Sequence, residues 1–440
     1  MSSRWASTVE DAALAEQRKQ EKLERKRVKE EKARQEAERA AEAAAAQEAR
    51  GDYEESPRPS KRRRVSPSPP PEPEAHLLSL PSTTFGPAAS VNNYEILNAI
   101  EEGSYGKVSR ARIKTSGEIV ALKKLKINPS ADEGFPVTGL REIQTLNACS
   151  HLHIIDLKEV VTGDTLTDVY LVMPFVEHDL KTILSTISEP FLPSETKLML
   201  QQLTSALVYL HARHILHRDL KTSNLLLNNR GELKLADFGM ARYTSTPPPR
   251  HLTQLVVTLW YRSPELLLGT RTYDAAVDVW SLGCIFAELL TREPLFQGKN
   301  EVDQLAKIFS LLGTPTSGSW PGFRSLPNAK ALHPVLSKAP ELSSRLSATK
   351  FPYLTSAGLQ LLTDCLSMNP QGRPTAEDVL YHRYFSEEPR PKAKEMFPTF
   401  PSKGGLESRR KAASPLAPAR GEAPNFEARD LENVFFDVHR

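Results

Sequence analysis

The chain has 440 residues, 39% of them hydrophobic, and a net charge of +3, which is too small to name a partner by itself. Its three cysteines, Cys149, Cys284 and Cys365, sit among apolar residues with no Cys-x-x-Cys or Cys/His cluster, so they read as buried free thiols in a reducing, intracellular compartment. No run approaches the roughly 18 uncharged apolar residues of a membrane span, and no secretory apolar segment opens the chain; a soluble protein without a membrane partner is expected.

Residues 1–50 form a charged arm, almost entirely Ala, Glu, Gln, Lys and Arg from residue 7 onward. A capping-box pattern at Ser7 and Glu10, then Glu21/Arg25 and Glu30/Arg34 at i,i+4, predict a helix. Leu14, Leu23 and Val28 make no heptad seam, so the helix is read as single and solvated, with weak RNA contact as the partner its charge allows. In residues 51–92 proline, serine and charge dominate, which predicts disorder. That linker holds Lys61-Arg62-Arg63-Arg64, a basic run resembling a nuclear import signal, and the pairs Ser66-Pro67 and Ser68-Pro69. Apolar residues crowd into 93–385, about the size of a two-lobed catalytic domain, and residues 386–440, with Ser414-Pro415, read as a disordered tail.

Within 93–385 the first part is strand-rich. Strands are expected over 94–99, 107–113 and 119–124, with Lys114-Thr115-Ser116-Gly117 as a turn, and a further strand over 168–173. A hairpin loop, Glu101-Glu102-Gly103-Ser104-Tyr105-Gly106-Lys107-Val108, joins the first two. A helix around Leu140-Arg141-Glu142-Ile143 follows, then a connection through Pro174-Phe175-Val176 into a helical second part. There Leu200, Leu203, Leu207 and Leu210 give helical spacing over 194–211, and Asp278 and Trp280 lead into an apolar helix over 281–290. Arg373 is placed to pair with Glu265 of Ser263-Pro264-Glu265.

Between those helices lie His217-Arg218-Asp219-Leu220-Lys221-Thr222-Ser223-Asn224 and Asp237-Phe238-Gly239. Phosphoryl transfer passes through a loose transition state and so depends on positioning and charge neutralisation, which needs acids, a lysine and an amide at such offsets. Asp219 is read as orienting the attacking hydroxyl, Asn224 and Asp237 as holding Mg2+, and Lys221 as neutralising the transferred phosphate. Lys123, ending Val120-Ala121-Leu122-Lys123, is read as gripping the α- and β-phosphates of ATP and pairing with Glu142. The expected nucleotide contacts are Glu102, Gly103, Gly106, Val108, Ala121, Lys123, Met173, Phe175, Val176, Asp179 and Leu226. The first glycine usual in such a loop is Glu101, while Gly103 and Gly106 keep the permissive backbone.

These motifs resemble the cyclin-dependent kinases, and within them the PITSLRE branch. Pro136-Val137-Thr138-Gly139-Leu140-Arg141-Glu142 looks like its signature helix; Val176-Glu177-His178-Asp179-Leu180-Lys181, Val256-Val257-Thr258-Leu259-Trp260-Tyr261-Arg262 and Met396-Phe397-Pro398-Thr399-Phe400-Pro401 support it. The departures are Val137 and Gly139 for Ile and Ser, Met240 for leucine and Ser263 for alanine. The resemblance implies an α+β, two-lobed kinase fold with a β-rich first lobe and a helical second one. It implies a cyclin, of the L type, packing on 136–143, with the helix rotated away from Lys123 until that partner arrives. It also implies activating phosphorylation of Thr253 read by Arg141, Arg218 and Arg242, inhibitory sites at Ser104 and Tyr105, and a proline-accepting platform of Val256, Val257 and Arg262. Ser/Thr-Pro proteins in transcription or pre-mRNA splicing are the substrates implied. A catalytically weak scaffold is the rival; it would lose Lys123, Asp219 or Asp237, and all three are present.

Overall fold

Alternating apolar residues make strands only where a core exists to receive them, and in the first lobe there are two such cores. The computed structural model describes residues 88–102, 106–127, 134–165, 167–245, 258–329, 346–351 and 353–401. The predicted arm, the basic run, the Ser-Pro pairs, Gly103, Ser104, Tyr105, Thr253, Val256 and Val257 lie outside these residues. The lobe comprises β1 (Ala89–Ser90), β2 (Tyr94–Glu102), β3 (Gly106–Ile113), β4 (Ile119–Leu125), α1 (Val137–Ala148), β5 (Glu159–Thr162) and β6 (Val169–Pro174). One six-stranded sheet runs β1-β5-β6-β4-β3-β2, parallel only between β1 and β5.

One sheet face packs Ala111, Val120, Leu122, Val161 and Val172 with Tyr94, and Ala89 and Val91 lie over this cluster. That cover explains β1, which lies inside the stretch assigned to the linker: the folded unit starts before residue 93. Leu125, Leu171 and Met173 join the main core with Leu146 of α1. Strand β2 runs three residues past its predicted end because irregularities between Ile96 and Asn98, and between Ala99 and Glu101, break the alternation that marks a strand in sequence.

The second lobe contains β7 (His178–Asp179), α2 (Leu180–Thr186), α3 (Pro193–His211), β8 (Ile215–Leu216), β9 (Leu225–Leu227), β10 (Leu233–Leu235), β11 (Arg242–Tyr243), α4 (Pro264–Leu267), α5 (Ala276–Thr291), α6 (Glu301–Leu312), α7 (Ser356–Cys365) and α8 (Ala376–Leu380). Helix α3 starts with Pro193 at its first position while Glu195 accepts a 2.9 Å hydrogen bond from the Leu192 N–H, and its four predicted leucines are all buried. Helix α5 is buried from Val277 to Leu290, as suits a helix apolar on every side. It begins five residues before its predicted start, because Asp278, taken for a flanking residue, is a buried member of its first turn. The three cysteines are free and buried. Among the described residues no helix is long and apolar enough to cross a membrane.

The tail expected to be disordered from residue 386 is ordered in its first part. Residues 386–401 continue across the second lobe, with Phe397 buried, Lys392 paired to Glu195 and Lys394 to Glu232. Arg373 does pair with Glu265, through two hydrogen bonds of 2.7 Å, and its guanidinium lies 5.0 Å from the centre of the Trp280 ring. Both side chains are almost fully buried, so removing one leaves an uncompensated charge. Arg373→Met should therefore cost about 3–5 kcal/mol, and Arg373→Met with Glu265→Leu much less. Chemical denaturation of the two variants checks this.

Candidate active site

A loop that carries several charged groups needs fixed backbone, and here the fixing comes from helix α5. The Asp278 carboxylate accepts from the N–H groups of His217 (3.0 Å) and Arg218 (2.9 Å), and His211 Nε2 lies 3.0 Å away. Burial opposes its charge, yet these partners hold the carboxyl below its usual range. The anchorage keeps Arg218 in the left-handed region, φ 64°. His217 donates from Nε2 to the Ala236 carbonyl and accepts the Asp219 N–H on Nδ1, while its ring meets Phe238 edge to face at 4.8 Å. Burial lowers its pKa, and this pattern of one donor and one acceptor is that of a neutral imidazole.

Asp219 thereby stands at a junction. Its carboxylate accepts from Lys221 Nζ at 2.7 Å and from both the N–H and the hydroxyl of Thr258 at 3.1 Å, and Asn224 Nδ2 donates to its carbonyl at 2.8 Å. A carboxylate so held can orient a hydroxyl without itself having to move.

The second cluster bridges the lobes. Lys123 Nζ donates to both oxygens of Glu142, at 2.7 and 2.8 Å, and to Asp237 Oδ1 at 2.9 Å. Burial works against the ammonium, but Asp237 and Glu142 outweigh it and hold its pKa above the ordinary value. Burial likewise pushes Asp237 up, and Lys123 more than offsets this, leaving its carboxyl below the usual range. Glu142 is brought to this cation by helix α1. The helix is seated inward, because two carboxylates share one buried cation and Thr138 packs beside Gly239.

Between the clusters the strand register lines a cleft. Val108 pairs with Lys123, and Ala121 pairs with both Arg110 and Met173, which places these residues on one sheet face. Phe175 and Val176 follow β6, and Leu226 of β9 pairs with Asp179 of β7. Gly106 has no room for a side chain, since a Cβ would overlap the Lys124 carbonyl oxygen. Glu102 ends β2. Arg218 is fully buried, donating to the Met240 carbonyl and the Tyr273 hydroxyl at 2.8 Å each, and its Nη2 has no hydrogen-bond partner among the described residues. Arg141 and Arg242 are half-buried.

Among the described residues no group of three or more His, Cys, Asp or Glu could hold a metal ion alone. Asp237 and Asn224 offer a carboxylate and an amide oxygen, a hard donor set that fits Mg2+ sharing its remaining positions with phosphate oxygens and water.

Sequence reasoning missed Asp278, Thr258 and Glu288. Glu288 lies buried under the loop, accepting from the Tyr261 hydroxyl at 2.6 Å and from the Thr222 hydroxyl at 2.9 Å. The signal available was an acid inside an otherwise apolar helix, which applies to Asp278 and Glu288 alike. Burial pushes the Glu288 carboxyl up to about 7, against the pull of those two hydrogen bonds. The folded chain thus keeps a proton that the unfolded chain releases above its ordinary value near 4.5. The resulting stabilisation is complete below that value and is lost as pH rises through about 7. Glu288→Gln should remove up to about 3 kcal/mol of this pH dependence. Denaturation midpoints of variant and parent, compared at acidic and neutral pH, measure it.

Comparison with known proteins agrees with this geometry. A protein kinase domain model matches residues 94–385. The serine/threonine-protein kinase ppk23 of Schizosaccharomyces pombe is 53% identical over 323 residues, 73% of this chain and 79% of that protein. Cyclin-dependent kinase 11B of Rattus norvegicus is 47% identical over 334 residues, 76% of this chain and 75% of that one. Cyclin-dependent kinase G-2 of Oryza sativa is 50% identical over 325 residues, but the matched part is only 45% of its length. A folded catalytic core with its charge clusters assembled, and relatives of this similarity, place the chain in the protein kinase family, within the cyclin-dependent serine/threonine kinases of the PITSLRE branch.

Proposed function

We propose that the chain transfers the γ-phosphate of ATP to serine or threonine followed by proline, as the catalytic subunit of a cyclin complex. The observation that carries this reading is the closed bridge from Lys123 to Glu142 and Asp237, set beside an Asp219 held by Lys221 and Thr258. Asp219 orients the attacking hydroxyl, and Lys221 faces the charge that develops on the transferred group. Lys123 grips the phosphates, and Glu142 keeps it from swinging away. Asp237 and Asn224 hold Mg2+, which neutralises phosphate charge when bound. Val108, Ala121 and Met173 enclose the adenine. Proline after the target residue suits the expected platform of Val256, Val257 and Arg262, because proline has no N–H to satisfy. The basic run at 61–64 and the charged arm support work in the nucleus, in transcription or pre-mRNA splicing.

Helix α1 supports the cyclin. Its N-cap, Pro136, makes no side-chain hydrogen bond, its first turn has no acid, and Gly139 stands inside it at a cost of about 1 kcal/mol relative to alanine. Its outer face leaves Val137 and Leu140 exposed, 44% and 52%. A partner covering those residues would hold the seated helix, raising the population of the assembled site rather than building it anew. An L-type cyclin is the partner to which the resemblance points. The test is phosphorylation of matched Ser-Pro and Ser-Ala peptides by the purified complex. Asp219→Asn should abolish transfer, and Leu140→Asp should weaken cyclin binding by roughly tenfold, the loss of about 1.4 kcal/mol of apolar contact. Equal use of both peptides, or full activity of the Asp219 variant, overturns the reading.

Regulation by phosphate at Thr253 is part of the proposal. A fully buried guanidinium whose Nη2 has no partner among the described residues, on Arg218, suits a receptor for an anion. Thr253→Ala should lower kcat/KM by roughly tenfold or more with cyclin bound, the scale of one charge-assisted pair. Adding Arg242→Ala should then change little. Two losses that multiply independently in this cycle count against the arginine receptor.

A further inference from the structure

The strap formed by residues 386–401 is fixed at spaced points. Lys392 donates from its N–H to the Ser194 carbonyl (2.9 Å) and from Nζ to Glu195 (2.8 Å), and Lys394 Nζ donates to Glu232 at 2.7 Å. Phe397 inserts beside Phe191, ring centres 5.9 Å apart. The strap crosses Gly231, φ 74°, where a Cβ would overlap the Lys394 carbonyl oxygen. Its last contact is different in kind. The Phe400 N–H donates to Asn229 Oδ1 at 2.9 Å, and Asn229 Nδ2 donates to the Phe400 carbonyl at 3.2 Å, so one side-chain amide pairs with the strap as a neighbouring strand would. Asn229 Oδ1 also lies 3.2 Å from His178 Nε2, and the Phe400 ring stands edge-on to His178 at 6.0 Å.

His178 is half of β7, and the other half is Asp179. That strand has two residues, pairing His178 with Leu227 and Asp179 with Leu226. A ladder so short does not hold its own position, and another contact must do so. Asp179 is held by capping α2, its carboxylate accepting from the Thr182 N–H at 2.9 Å and from the Thr182 hydroxyl at 2.6 Å; Phe400 and Asn229 hold the other residue of the strand, His178. Phe397, 5% exposed, anchors the strap in the core; Phe400, half-buried, packs at the edge of that core, 6.3 Å from the Phe191 ring and 6.4 Å from the Phe397 ring, and is the residue of the strap that also meets His178.

We propose that Phe400 and Asn229 are positioning residues for the nucleotide: latched together, they hold His178 and thereby set Asp179 and Leu226 at the ATP cleft. The inference rests on reading that cleft as the ATP site. Disturbing the latch should change nucleotide affinity and leave the chemical step alone. Phe400→Ala and Asn229→Ala, made in the full chain, should each raise the Kd for MgATP and the KM for ATP about fivefold, with kcat and the peptide KM within about twofold. Phe400→Leu, which keeps apolar contact with His178, should restore most of the loss. The double variant should be little worse than either single one, because both break one contact. Titration calorimetry on the purified chain gives the Kd without cyclin or substrate, and kinetics of the cyclin complex give the remainder. Unchanged ATP affinity in the folded variants, or a fall in kcat alone, overturns the proposal and leaves the strap a stabilising element. If Phe400→Ala does not fold, Asn229→Ala decides by the same readings. Failure of the parent chain to bind ATP overturns the reading of the cleft, and the latch with it.

Discussion

The catalytic loop of this kinase depends on one buried carboxylate. Asp278 accepts two successive backbone N–H groups, those of His217 and Arg218, from a position 1% exposed in the first turn of a helix buried along most of its length. A buried charge is tolerable only when fully partnered, and here the partners are the loop itself. The loop therefore takes its shape from the core, including the left-handed Arg218 that no local preference would select. From there the order of groups follows. His217 turns to Phe238, Arg218 to Met240 and Tyr273, and Asp219 to Lys221 and Thr258.

The same rule organises the charges between the lobes. Lys123 has two acids for one cation, and neither acid could stay ionised in that setting without it. The arrangement ties β4, α1 and the Asp237 turn to a single ammonium. Any shift of α1 outward leaves Glu142 buried without a counter-charge, or requires water to follow it in. The cost of either outcome holds α1 at the cation.

The charged groups that the structure brings together were legible in the sequence where they are local. Asp219, Lys221 and Asn224 fall within six residues, Asp237 is near, and the short apolar run before Lys123 reads as a buried strand ending in a cation. What stayed hidden depends on partners far along the chain. Asp278 lies about sixty residues from the N–H groups it accepts, Glu288 sixty-six from Thr222, and Phe400 one hundred and seventy-one from Asn229. Each reads locally as an acid misplaced in an apolar helix, or as an aromatic in a proline-rich tail. Strand β1 was invisible for a related reason: two residues have no period, and their place follows from an apolar sheet face that needs cover. The inward seat of α1 rests on an ion pair between residues nineteen apart, Lys123 and Glu142, on different elements.

The two halves of the site differ in how their stability is supplied. On the second lobe the groups are attached to α5 and α3, buried along most of their length, and local opening there would have to break the main core. On the first lobe Glu142 is carried by a twelve-residue helix with no side-chain cap, a glycine in its third position and exposed apolar residues on its outer face. Such a helix has little stability of its own and takes most of it from what packs against it. The part of the site carried by α1 is therefore the part that costs least to move, while the loop carrying Asp219 is fastened to the core. The division leaves one half of the site dependent on what packs against it and the other half on the core alone.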